Sequence, residues 1–156
     1  MANAIRWEVL PTKVTVIDLG TTLADATLSS FDSTNGYNNG TNLFQWAYFV
    51  LTTSTGDLYT AAPTAANANA RLYMARKFDG TNLENTPVTA DVDEFPHLLV
   101  PETFPIATEV TNVPLGMRTK IQLPPFELEF ALYNDSGQTM GATWQVDMYP
   151  AADEIQ

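Results

Sequence analysis

"FELEFALYNDSG", residues 126–137, is the stretch on which the fold turns. Phe126, Leu128, Phe130 and Leu132 alternate with Glu127, Glu129, Ala131 and Tyr133. Side chains on a strand point to opposite faces in turn, so a period of two assigns one face to a core and the other to the outside. The run ends in Asn134-Asp135-Ser136-Gly137, residue types that build turns. Glu127 and Glu129 share the outer face, roughly 7 Å apart by strand rise. Arg118 and Lys120, on one face of the preceding segment, are the expected partners of these carboxylates.

The alternation recurs on both sides of this stretch. In "LFQWAYFVLTTSTGD" (43–57), Phe44, Trp46, Tyr48 and Val50 line one face, with Leu43, Ala47, Phe49 and Leu51 on the other. A strand covered on both sides is expected there, closed by a hairpin turn at "STGD". "RLYMARKF" (71–78) reads as a strand, with a helix over 63–75 as its rival because Ala, Leu, Met and Arg favour helix. "KVTVIDLG", "IATEVTNV", "GMRTKIQL" and "TWQVDMY" alternate as well, and a short strand is expected at 97–100. Asn-Gly and Asp-Gly steps at 35–36, 39–40 and 79–80 supply turns. Many short strands between turn signals indicate an all-β domain spanning 1–156, an antiparallel sandwich or barrel. Ile5, Trp7 and Val9 alternate before Pro11, which suggests an edge strand or an extended arm over 1–12.

Composition narrows the function. The chain has 156 residues, 45% hydrophobic and 16% charged, with a formal net charge of −11. Seven basic residues against eighteen acidic ones cannot make the cationic face that phosphate backbones or anionic membranes require. Nucleic acid and membrane are therefore not expected partners. There is no cysteine, which excludes disulfides, thiolate metal sites and cysteine nucleophiles. The N-terminus lacks the pattern of a signal peptide, so synthesis in a cytoplasm is expected.

No motif announces a reaction. His97 is the single histidine, in the apolar context "FPHLLVP", and no Gly-x-Ser-x-Gly elbow presents a nucleophile. Asp91, Asp93 and Glu94 could offer oxygens to calcium, but a solvated acidic loop is the plainer reading, and neither a cofactor nor a metal is expected. Trp7, Tyr37, Tyr133 and Tyr149 fall on edges or faces that alternation sends outward, where they could anchor an interface or stack on sugars.

"RLYMARKF" running into Asp79-Gly80-Thr81-Asn82, "IQLPPFELEFALYN" with Leu123-Pro124-Pro125, and Asn134-Asp135-Ser136-Gly137 together resemble structural proteins of tailed bacteriophages. The likeness covers 43–149 and is to the jelly-roll decoration, or cement, proteins of capsids. The resemblance implies a non-enzymatic β-sandwich of jelly-roll type on the outer surface of the virion. It implies the major capsid protein and further copies of the chain, a trimer by preference, as partners. Ile5, Trp7, Tyr37, Glu127, Glu129 and Tyr133 are then the candidate interface residues. The alternative is a lectin-like jelly roll of a receptor-binding apparatus, with Tyr37 and Tyr133 as its platform and calcium from Asp91 and Asp93. A glycosidase built on paired carboxylates is a third reading.

Overall fold

The computed structural model describes residues 12–65, 68–84, 98–106 and 114–151. Its elements in chain order are β1 (Val14–Ile17), β2 (Thr27–Leu28), β3 (Tyr37–Asn38), the helical turn α1 (Asn39–Asn42), β4 (Trp46–Thr53), β5 (Asn69–Lys77), β6 (Leu99–Pro105), β7 (Leu115–Gly116), β8 (Ile121–Gln122), β9 (Glu127–Asp135) and β10 (Trp144–Ala151). They form two antiparallel sheets. One runs β1-β10-β4-β7, with β8 also on β4; the other runs β2-β9-β5-β6, with β3 also on β9.

The inner strands are the ones whose sequences alternate best. β5 and β9 pair from Asn69↔Asp135 to Lys77↔Glu127, and β10 and β4 from Trp144↔Thr53 to Ala151↔Trp46. Ala47, Phe49 and Leu51 face Leu128, Phe130 and Leu132 across the core, where the Phe49 and Phe130 rings lie 5.5 Å apart. Trp144 is buried beside them, its indole N–H donating to the Thr21 carbonyl at 2.8 Å.

The strand read at 71–78 is present as β5, which begins at Asn69, and its rival helix gives way because the alternate residues Ala70, Leu72 and Met74 pack on the core. Other expectations are corrected. "STGD" is a turn but not a hairpin, since β4 and β5 belong to different sheets. The strand expected at 97–100 begins at Leu99 and continues to Pro105, with Pro101 and Pro105 tolerated because β6 pairs on one side alone. "GMRTKIQL" is not one strand. The Glu102 carboxylate accepts the backbone N–H of Arg118 at 3.1 Å and of Thr119 at 2.8 Å, and the Thr119 hydroxyl also donates to it. Those bonds draw the chain off β4 between β7 and β8. In β1, a bulge between Thr15 and Ile17 buries Val16 and Ile17 together, so strict alternation fails.

The outer face of the second sheet is covered rather than open. Tyr73, Leu98 and Ala131 are buried in a second small cluster, with Leu28, Phe31, Leu99 and Tyr133 packed on it. Asp32 ties this covering loop down. Its carboxylate accepts from the backbone N–H of Asp18 (2.9 Å), Thr34 (3.0 Å) and Asn35 (3.0 Å), and from the Asn35 side chain (2.9 Å). Burial raises the Asp32 pKa, but these bonds, led by the Asn35 amide, outweigh it and leave a net lowering.

Candidate functional site

At one end of the sandwich a few residues are arranged in a way that folding alone does not favour. Asn38 caps α1, its Oδ1 accepting from Thr41 N at 3.2 Å. Asn39 is buried and clamps the turn: its Oδ1 accepts from Phe44 N at 2.9 Å, and its Nδ2 donates to the carbonyls of Phe44 (2.9 Å) and Pro124 (3.0 Å). Its backbone N–H donates to Phe126 O at 3.0 Å. With both flanks fixed, the chain must reverse at Leu43, which takes the left-handed conformation (φ 55°, ψ 31°). Glycine or asparagine is the usual occupant of such a helix end. Here a leucine sits there, and 63% of it is exposed.

Leu43 borders an open depression of about 270 Å³ whose other walls include Phe44, Trp46, Gln122, Leu123 and Pro125. The apolar surface continues from Pro125 to Phe126, which meets Phe78 edge-on at 5.3 Å. Phe78 is 59% exposed, and it and Leu43 are the exposed large hydrophobics among the described residues. Cations lie against the rings: Lys120 Nζ is 4.3 Å from the Trp46 centroid, and the Arg76 guanidinium is 5.0 Å from that of Phe78. Arg76 also holds Glu84, with Nη2 2.7 Å from Oε2.

Glu127 and Glu129 lie just behind this tip, but not as expected. Their partner is Lys77, whose Nζ is 2.9 Å from Glu127 Oε1 and 2.7 Å from Glu129 Oε1. Arg118 and Lys120 cannot reach them, because the segment preceding β9 in sequence borders β4 in the other sheet. Glu129 is 3% exposed and so does not face water. The bonds to Glu129 and then Glu127 raise the Lys77 pKa, which keeps the ammonium charged and neutralises the buried carboxylate. A glutamate pair locked by one lysine is a structural ion triad, not an acid–base pair across a cleft.

The remaining candidates are scattered. Tyr37 pairs with Leu128 and is buried, and that burial raises its pKa. Tyr133 is half-buried under the Arg71 guanidinium at 4.6 Å. The two rings therefore make no platform for a sugar. Tyr149 is half-buried on the outer face of the first sheet, opposite Tyr48. Ile5, Trp7, Asp91, Asp93, Glu94 and His97 lie outside the described residues. Sequence reading missed Leu43 and Phe78. Leu43 counted as one more apolar position in an alternating run, and Phe78 as the end of a strand.

Strand addition is not well served. Among the described residues each rim of the two sheets is short, bulged, interrupted or carries proline: β1 spans four residues with a bulge, β6 includes Pro101 and Pro105, and β2, β3, β7 and β8 are two-residue pieces. The chain matches no protein-family model, no curated protein and no solved structure.

Proposed function

We propose that the chain is a non-enzymatic capsid decoration protein of a tailed bacteriophage, a jelly roll that binds the outer shell and bridges coat subunits. The strand order supports the fold. With β2 and β3 taken as one interrupted strand, and β7 and β8 as another, eight positions remain in the orders 1-8-3-6 and 2-7-4-5. A long antiparallel hairpin rolled on itself has these neighbours, and two Greek keys result.

The observation that carries the functional reading is Leu43, held in a backbone conformation unfavourable for leucine and presented to solvent on an otherwise acidic molecule. Strain retained at an exposed apolar residue points to binding rather than packing. The major capsid protein is the partner, the tip is the contact, and assembly of the protein as a trimer lets several tips clasp adjacent coat subunits. Tests use capsids stripped of the protein. Wild-type chain is expected to co-sediment with them and raise their rupture temperature. Leu43→Asp is expected to stay in the supernatant while melting at the wild-type temperature or above. Equal capsid occupancy by that variant would count against the tip as the contact.

A further inference from the structure

The outer face of the first sheet carries a second feature, remote from the tip. Cross-strand partners present their side chains to the same face, and one row there reads Thr15, Asp147, Val50, Gly116 across β1, β10, β4 and β7. The row is polar at one end, apolar in the middle and lacks a side chain at the other end. A methyl group built on Gly116 would meet no atom within 4 Å, and this glycine does not need a positive φ. Beside it opens a depression of about 480 Å³, bounded by Lys13, Val50, Thr52, Gln145, Asp147 and Tyr149 among others. That size falls within the range of about 300–1,000 Å³ typical of small-molecule sites.

Its polar groups are fixed in advance. Asp147 is buried, and its carboxylate accepts from the Thr15 hydroxyl at 2.8 Å and from Gln145 Nε2 at 3.2 Å to each oxygen. Lys13 Nζ lies 3.0 Å from Asp147 Oδ2 with half of its side chain in solvent. Such a network loses little side-chain freedom when a ligand arrives. Asp147 is spent on holding Lys13 and Gln145 in place, so the lining offers the remaining ammonium donors of the half-exposed Lys13, threonine hydroxyls and one tyrosine ring. An anion would meet Asp147 and a net charge of −11, and an apolar ligand would leave the polar walls unsatisfied. Vicinal hydroxyls with an adjacent C–H face match the set.

We infer that the depression over Val50, beside Gly116 and walled by Gln145, Asp147 and Tyr149, is a binding site for a neutral saccharide. It is separate from the tip, so it stands or falls independently of capsid attachment. The test is a ¹⁵N-resolved NMR titration of the full chain with D-glucose, D-galactose, D-mannose, N-acetylglucosamine and maltohexaose. At least one of these sugars is expected to shift the amides of Val50, Thr52, Gln145 and Tyr149 saturably, with a monosaccharide Kd of about 1 mM. Gly116→Leu, which fills open space, and Tyr149→Ala are each expected to weaken binding tenfold or more. Glu127→Gln, on the other sheet, is expected to leave it unchanged. No saturable shift with any sugar of the panel overturns the inference, as do shifts that survive both Gly116→Leu and Tyr149→Ala.

Discussion

Replacing Leu43 by glycine separates stability from binding, because the two should move in opposite directions. A left-handed conformation costs an L-residue about 1–2 kcal/mol, which glycine avoids. Glycine gives back about 0.4–1 kcal/mol through the entropy of the unfolded chain. With 63% of the leucine in solvent, little packing is lost. The variant should therefore be more stable by about 0.5–1 kcal/mol, a rise in melting temperature of roughly 1–4 °C for a domain of this size. Binding should suffer instead. Full burial of a leucine contributes about 1.5–3 kcal/mol, and the exposed fraction leaves about 1–2 kcal/mol of this to be gained on docking, or roughly 5–30-fold in Kd. Urea denaturation gives the first quantity and capsid co-sedimentation at graded concentrations the second. Leu43→Asn, which also tolerates the left-handed region, should behave similarly. A loss of more than 1 kcal/mol in Leu43→Gly would mean that Leu43 is a packing residue and that the reasoning from strain fails.

Other perturbations probe the rest of the molecule. Lys77→Met strands the buried Glu129 carboxylate and should cost about 3–5 kcal/mol by chemical denaturation, with much of the loss recovered in the Lys77→Met/Glu129→Met double variant. Because the folded pKa of Lys77 is raised, its contribution is fully present below the ordinary lysine value and is lost as pH climbs through the folded one; base titration of stability should show that decline in wild type and not in the double variant. Asp79 accepts from Asn82 N, the Asn82 side-chain amide and Thr81 N, which hold its carboxyl down at about 2. Its stabilising effect is present above the unfolded value of 3.8 and fades as pH falls through the folded one, so carboxyl NMR should report a midpoint near 2 that returns toward 3.8 in Asn82→Ala. Gly137→Ala should be severely destabilising, by about 2 kcal/mol or more, since φ is 78° and a Cβ would stand 2.7 Å from the Ala65 backbone nitrogen; a melting temperature within 2 °C of wild type would contradict it.

The parts of the fold legible in the sequence are the inner strands. β4, β5, β9 and β10 are long enough for their alternation to stand out, and each fills one side of the core with residues such as Phe49, Leu72, Phe130 and Val146. What escaped was non-local. Alternation assigns Glu129 and Ala131 to the face away from the core, but cannot say that a loop carrying Phe31 and a segment carrying Leu98 will cover that face. The break at 117–120 depends on Glu102, a carboxylate some sixteen residues earlier in the chain. The partner of Glu127 and Glu129 depended on sheet order, which places β5 rather than β8 at their side. At the tip, Asn39-Gly40 announced a turn, yet the residue that takes the positive φ is Leu43, chosen by the Asn39 clamp rather than by its own preference.

The broken margins of both sheets carry a consequence for life at high density. Among the described residues, copies crowded shoulder to shoulder would find few consecutive edge amides with which to zip together into fibres. Along these described margins, association is left to side chains, where one substitution can tune or abolish it. A molecule framed in this way can be packed tightly over a surface and still remain a set of separate, removable tiles.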